Sequence, residues 1–305
     1  MHWDVALVYA LLRVLGLLPL RTLHALGAGI GRVLWWRKHA RERVHIEVNL
    51  RFARPRLDDA ARARLGKEIL IETGKAATEL AAVWGRGAER ALRMVREVRG
   101  AELFDAALSS GRGVILAAPH LGCWELLNYW LSRRTSIAIL YAPPRWPQFE
   151  ALLLRARGDP APQQVRADGA GVRALYKRLS AGGVVGILPD QQPKRGEGQF
   201  APFFDVEANT MVLLPRMVQR TGACVLFAFA ERLPKGAGFR IHLRNAPQDI
   251  ADVDLRVACT ALNLGVQACV ETAFAQYQWT YKRWAERPDP YAHDPYWLAR
   301  QGRDS

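Results

Sequence analysis

The stretch Val114-Ile115-Leu116-Ala117-Ala118-Pro119-His120-Leu121-Gly122-Cys123-Trp124-Glu125 decides how this chain is read. Val114–Ala118 is a short apolar run of strand length, and Trp124–Ser132 has the spacing of a helix. Pro119 and Gly122 mark the turn between them. The same alternation continues along the chain. Apolar runs at Ile137–Tyr141, Val184–Leu188, Val225–Ala230 and Phe239–Leu243 are separated by helical stretches at Gln148–Arg157, Ala170–Ala181, Thr210–Arg220 and Asp254–Phe274. Strands alternating with helices predict an α/β layer structure, with a mixed, largely parallel central sheet flanked by helices. The Pro-bearing segments Ala142–Pro147 and Asp159–Pro162 read as loops rather than domain boundaries.

The quoted stretch also holds the sharpest chemistry. Residues five apart on one helix point roughly 140° apart, so His120 and Glu125 meet only if His120 lies in the turn and Glu125 in the first turns of the helix. A carboxylate so placed fixes the imidazole tautomer and stabilises the imidazolium. The pair then suits removal of a proton from a hydroxyl that attacks an activated acyl group. Backbone N–H groups near Gly122 are expected to hold the developing oxyanion. Cys123 reads as a small filler of the tight turn, or as an acylated nucleophile. Asp190 follows an apolar strand and precedes the basic loop Lys194–Gly198, where it orders the site, pairs with Arg, or simply forms a turn. Phe200, Phe203 and Phe204 are core or acyl-pocket wall, and His242 and His293 receive no role. No His, Cys, Asp and Glu set has metal-ligand spacing, so neither a metal nor a cofactor is expected. A G-x-S-x-G nucleophile elbow is also lacking, which disfavours a serine hydrolase.

Working outward, Val44, Val48, Leu50, Leu65, Ile69, Leu70, Ala77, Leu80 and Val83 recur at helical spacing, so residues 41–98 are expected to be helical. Pro55 and Asp58 mark a break and a new helix start. Residues 3–36 are apolar but interrupted by Asp4, Arg13, Arg21, His24 and Arg32, and the charge-free runs fall far short of the ~20 residues of a spanning helix. Trp35 and Trp36 are followed at once by Arg37, Lys38, His39, Arg41 and Arg43, a sequence of rings and cations suited to a membrane interface. Residues 1–40 are therefore expected to form a hydrophobic helical membrane anchor, dipping or weakly spanning, on the cytoplasmic side, and 41–305 the catalytic domain; the other reading of the apolar stretch is two buried helices of a soluble domain. The 43 Lys and Arg against 29 Asp and Glu give a net charge of +14. That excess attracts polyanions such as an anionic membrane surface, a phosphorylated substrate or an acidic partner. Nucleic acid is not expected, because no helix-turn-helix, zinc or RNA-binding signature accompanies the charge. Cys123, Cys224, Cys259 and Cys269 show no disulfide spacing, and a reducing compartment follows.

Ala118–Glu125 resembles the H-x4-[DE] block of glycerolipid and lipid A acyltransferases, in the H-x-G-x-W-E form of the late lipid A acyltransferases. Leu188-Pro189-Asp190-Gln191-Gln192 followed by Glu197–Phe204 is similar to that family's "PD-x-x … V-F-x-P-F-F" stretch. Gln276-Tyr277-Gln278-Trp279 with Lys282-Arg283-Trp284 is similar to its ending, and Val48-Asn49-Leu50-Arg51 to an early helical block. The resemblance implies transfer of a fatty acyl chain from acyl carrier protein to a hydroxyl of a lipid A precursor at the inner membrane. His120 would be the general base and Glu125 its orienting partner, with no covalent intermediate. Gly122, Arg145, Arg157, Asp190, Arg195 and Arg283 are the expected substrate contacts; Arg157 and Arg195 read either as phosphate contacts or as solvated surface residues. Two places depart from the family pattern. Tyr141-Ala142-Pro143-Pro144-Arg145 stands where the family has Tyr-Arg-Pro, so that either Arg145 is the shifted cation or the phosphate contact differs here. Trp279-Thr280-Tyr281-Lys282-Arg283 lacks the family's His. A glycerophospholipid, glycolipid or other lipid is the alternative acceptor.

Overall fold

Two helices, α1 (Trp3–Leu15) and α2 (Leu20–Trp36), lead into α3 (Arg41–Ala53), the long α4 (Asp59–Arg86) and the short α5 (Ala88–Leu92). There follow β1 (Val95–Arg99), α6 (Ala101–Ser109), β2 (Val114–Ala117), α7 (Trp124–Arg134), β3 (Ile137–Tyr141), β4 (Gln163–Arg166), α8 (Gly169–Ser180) and β5 (Val184–Ile187). The chain ends with β6 (Gly198–Phe203), β7 (Val206–Met211), α9 (Leu213–Thr221), β8 (Cys224–Arg232), β9 (Phe239–Asn245), α10 (Leu255–Thr272) and α11 (Pro295–Arg300). This computed structural model describes residues 3–141, 163–289 and 291–302.

Seven strands form one sheet in the order β1-β9-β8-β2-β5-β3-β4, and every pairing is parallel except β8 with β9. The central strands are buried on both faces, as expected of a parallel sheet with helices on each side. Along β2 the side chains alternate. Ile115 and Ala117 pack with Ile46 and Leu50 of α3, Leu175 of α8 and Leu262 of α10. Val114 and Leu116 point the other way, toward Phe104 of α6 and Leu126 and Leu127 of α7. The α/β layering expected from the sequence is thus present, and Asp58 caps α4 by accepting from the Ala61 N–H at 2.6 Å.

Three features differ from the sequence reading. The helical stretch expected over 41–98 ends in an edge strand, β1, whose Val-Arg-Glu-Val-Arg pattern is too short and polar to announce itself. Gln163–Arg166, also polar, is the opposite edge. Gly198–Met211 folds back as the β6–β7 hairpin, so the helix expected from Thr210 begins at Leu213. Phe204 and Asp205 at the hairpin tip have φ of 50° and 62°, a turn usually signalled by Gly or Asn. The helix expected at Gln148–Arg157 and the loops at Ala142–Pro147 and Asp159–Pro162 lie outside the described residues.

The N-terminal helices share the interior of the remainder. Leu23, His24, Gly27, Ala28 and Gly31 form the buried face of α2. There the backbones approach so closely that a Cβ on Gly27 would lie 2.4 Å from the Gly74 carbonyl oxygen of α4. Below this crossing Arg232, at the end of β8, donates to both oxygens of Glu79 at 2.6 Å and to Glu72 at 2.7 Å. His24 joins Glu79 at 3.1 Å. The opposite face of the helical pair is apolar as well: Leu11, Val14, Leu17, Leu26, Ile30, Val33 and Trp36 are exposed. Among the described residues no single helix is long and apolar enough to cross a membrane; Leu7–Leu15 and Leu20–Trp36 pass only as a pair bent by 119°.

Burial alone would raise the Glu79 carboxyl, but the Arg232 charge and the His24 and Arg232 hydrogen bonds outweigh it and hold it below the usual range. A depressed folded-state pKa stabilises the fold above the unfolded value of about 4.3 and ceases to do so as pH falls through the folded value. Glu79→Gln should therefore destabilise by about 3–5 kcal/mol at pH 7, as for other buried pairs that lose one partner. The gap to wild type should narrow below about pH 4 as Glu79 itself becomes protonated. Denaturant unfolding in neutral detergent at both pH values checks this, and a gap that ignores pH would remove the charge from the explanation.

Candidate active site

The register of two neighbouring strands builds the site. Ala117 of β2 stands opposite Ile187 of β5, and the Ala118 N–H donates to the Ile187 carbonyl at 2.9 Å. His120 lies three residues past the end of β2, and Asp190 three past the end of β5, so the two arrive side by side at the carboxyl edge of the sheet, where α/β folds collect their ligands. One Asp190 oxygen takes the His120 backbone N–H at 2.9 Å, and the other meets Nδ1 of the ring at 2.9 Å. The carboxylate is buried. Burial by itself would raise it, but the His120 charge and hydrogen bonds prevail and keep it below the ordinary carboxylate range.

An anionic acceptor at Nδ1 fixes the tautomer with its proton there, and leaves Nε2 as the basic nitrogen. Gln191 Nε2 lies 3.3 Å from His120 Nε2 and donates to Gln278 Oε1 at 3.1 Å. The Trp124 ring stands edge-on to the imidazole, with 5.5 Å between centroids. Asp190 makes a contact at Nδ1 of the kind expected of Glu125. Glu125 sits buried in the first turn of α7, as expected, and accepts from Trp84 Nε1 at 3.3 Å.

The tight turn works by close approach. Gly122 has φ of 63°, and a Cβ on it would lie 2.0 Å from the Ala230 carbonyl oxygen of β8. This carbonyl takes the Cys123 N–H at 2.8 Å, while the Gly122 N–H donates to Gln276 O at 3.2 Å. The Leu121 N–H donates to Pro119 O at 2.7 Å. The N–H groups of residues 120–123, which were expected to help hold an oxyanion, are all engaged within the protein. Cys123 is buried, and burial, followed by the Glu79 charge, pushes its thiol well up, which suits the filler and not the nucleophile.

The remaining expected residues separate. Asp190 joins the site. Arg195 is well exposed, 3.7 Å from Glu286. Arg283 is sealed inside, donating to Asn209 O at 2.6 Å and Thr210 Oγ1 at 3.1 Å beside the Phe203 ring. Its guanidinium locks the β6–β7 hairpin instead of facing a substrate. Arg145 and Arg157 lie outside the described residues. Phe203 and Phe204 are core, packed on Trp284 and Trp279. Gln191, Tyr277 and Gln278 complete the site without having been assigned roles from sequence. Leu121 pairs with Tyr277 as an antiparallel bridge, and the Gln278 N–H donates to His120 O at 3.0 Å. The Gln-Tyr-x-Trp pattern was the signal, but a linear motif does not show that it forms a short strand along the His120 turn.

The family model for bacterial lipid A biosynthesis acyltransferases matches residues 1–286. The chain is 24% identical to the lipid A biosynthesis lauroyltransferase of Escherichia coli (strain K12), over 94% of this chain and 93% of the relative. It is 25% identical to the lipid A biosynthesis palmitoleoyltransferase of the same strain, over 89% of this chain and 87% of the relative. A phosphatidylinositol mannoside acyltransferase of Mycobacterium tuberculosis is 28% identical over 50% of this chain and 49% of its own length.

Gly122→Ala tests the close approach. A Cβ there must drive the turn away from Ala230, so the expected cost is about 2–4 kcal/mol, with loss of the His120–Asp190 contact. Gly29→Ala, in α2 with nothing within 4 Å of the new Cβ, should be neutral or stabilise by up to ~1 kcal/mol. Thermal unfolding of both variants checks this; an unperturbed Gly122→Ala would contradict the geometry.

Proposed function

The chain belongs to the bacterial lipid A biosynthesis acyltransferases, a family of enzymes that transfer acyl groups. From that premise we propose that it moves a fatty acyl chain from acyl-acyl carrier protein to a hydroxyl of a lipid A precursor. The observation that carries this reading is the two-point hold of Asp190 on His120, which presents Nε2 as a base. In the proposed reaction the acceptor hydroxyl displaces the Gln191 amide from Nε2. His120 takes its proton as the oxygen attacks the thioester carbonyl, and the carbon–sulfur bond then breaks. The carrier thiolate leaves and receives that proton, so an ester and a free thiol are the products and the imidazole is restored.

Asp190 stabilises the transient imidazolium. Glu125, next to the Trp124 that touches the ring, adds a second negative charge from the start of α7. Gln191 Nε2, released from His120, turns its N–H to the developing oxyanion. The sequence's net charge of +14 supports an acidic carrier as donor and an anionic membrane surface as platform. The outward apolar residues of α1 and α2, ending in exposed Trp36 beside Arg37 and Lys38, support seating on the cytoplasmic face of the inner membrane. The phosphatidylinositol mannoside acyltransferase match favours a second reading, in which another glycolipid is the acceptor.

Mass spectrometry of acyl transfer from mixed acyl-acyl carrier proteins tests the reaction. Wild type should add one acyl mass to the lipid A precursor. His120→Ala should lower kcat by about 10²–10⁴-fold, and Gln191→Ala by about 10²-fold or more. Asp190→Asn should cost more than Glu125→Gln if Asp190 is the principal partner of the ring. Transfer surviving His120→Ala would remove the mechanism, and transfer only to a different glycolipid would select the second reading.

Vesicle flotation tests the seat. Wild type should rise with anionic vesicles, while a variant carrying Leu11→Glu, Ile30→Glu and Val33→Glu should stay behind. Equal flotation would place the membrane contact elsewhere.

A further inference from the structure

Three cations converge beside the catalytic turn with little to neutralise them. Arg41 opens α3, and Lys282 follows Tyr281 in the C-terminal segment; both line a cleft of about 440 Å³ with Gln192, Gln278 and Thr280. Arg300 of α11 reaches in from behind, its guanidinium donating to His45 Nε2 at 3.2 Å. His45 Nδ1 meets the Thr280 carbonyl at 2.7 Å. A ring that donates at Nδ1 and accepts at Nε2 is uncharged. Burial, then the charges of Lys282, Arg41 and Arg300, holds His45 below its ordinary pKa. The carboxylate at hand is Asp294, 2.8 Å from Lys282. Glu42 lines a separate cleft with Arg37, Lys38 and His39. Among the described residues Arg41 and Arg300 have no ion-pair partner.

The position of the cleft gives this charge a use. Its wall residue Gln278 accepts from Gln191 Nε2, and the same amide lies at His120 Nε2. The cleft is thus one side chain away from the catalytic base. Arg41, the first residue of α3, brings the cleft a cation, while the cap Ala40 lines the neighbouring cleft. The basic residues Arg37, Lys38 and His39 precede Arg41 in the chain and line the neighbouring cleft.

We propose that Arg41, Lys282 and Arg300 form a subsite for a phosphate monoester on the sugar end of the acceptor. It rests on the proposed acyl transfer and adds what that reading leaves open, namely how the acceptor is held while its hydroxyl meets His120. Arg41 and Lys282 contact the phosphoryl oxygens, and Arg300 supplies field from the second rank while it keeps His45 neutral.

The test is equilibrium binding in neutral detergent of a lipid A precursor bearing its phosphates and of the same molecule after phosphatase treatment. His120→Ala is used as the parent protein, so that no turnover intervenes. The parent should bind the phosphorylated form at least roughly tenfold more tightly. Arg41→Ala and Lys282→Ala should each remove most of that preference, and Lys282→Arg should retain it. Millimolar inorganic phosphate should compete with the phosphorylated form alone. Equal affinity for the two forms in the parent, or a preference that survives Arg41→Ala with Lys282→Ala, would overturn the subsite. Displacement by phosphatidylglycerol vesicles as effective as by the phosphorylated precursor would also overturn it, by assigning the cations to the bilayer surface. Since binding needs no turnover, a preference found without acyl transfer in wild type would support the subsite and refute only the proposed reaction.

Discussion

Asp190 grips His120 at two points, the ring and the backbone N–H, and both contacts exist because Ala117 stands opposite Ile187. A parallel pair of strands delivers the residues that follow their carboxyl ends to the same height. A slip of one residue would move His120 by about 3.3 Å relative to Asp190 and turn alternate side chains to the wrong face. Ile115 and Val114 on opposite faces of β2 make such a slip costly, since each is buried against a different helical layer. The precision of the dyad is therefore inherited from the packing of the whole sheet.

A second constraint fixes the turn from the other side. β8 contributes Ala230 O to the Cys123 N–H, and its last residue, Arg232, ends in the carboxylates of α4. Gln276 clamps Arg232 through both its backbone N–H and its carbonyl, then gives its own carbonyl to Gly122. The His120 turn, the end of β8 and the helix that carries α2 thus form one hydrogen-bonded unit. The buried His24–Glu79–Arg232 chain joins α2 to the end of β8.

The C-terminal segment supplies the third side. Asn49 of α3 holds it by donating to Trp279 O at 2.6 Å and Tyr281 O at 2.8 Å. Tyr281 in turn takes the Gln192 N–H at 2.9 Å, next to Gln191 at the imidazole. Burial, followed by the Asp190 charge, pushes the Tyr277 phenol well above its usual pKa, so it stays neutral beside that carboxylate. Sequence blocks around His120, Asp190 and Gln278, far apart along the chain, therefore meet around one imidazole, with Asn49 holding the last of them in place.

The sequence by itself determined the α/β layering, because short apolar runs bounded by turn residues and spaced by helical stretches admit few other solutions. It determined that His120 sits in a strand-to-helix turn, since Pro119 and Gly122 allow little else there. The edge strands β1 and β4 escaped notice because edges tolerate polar residues, and the β6–β7 hairpin because Phe204-Asp205 is not an expected turn. Only the tertiary structure decided which carboxylate holds the imidazole. Glu125 is near in sequence, but Asp190, 70 residues away, is brought to Nδ1 by strand register, a through-space relation that local spacing does not encode. The same reason governs Arg283, whose family motif suggests a substrate contact while the fold encloses it within the hairpin.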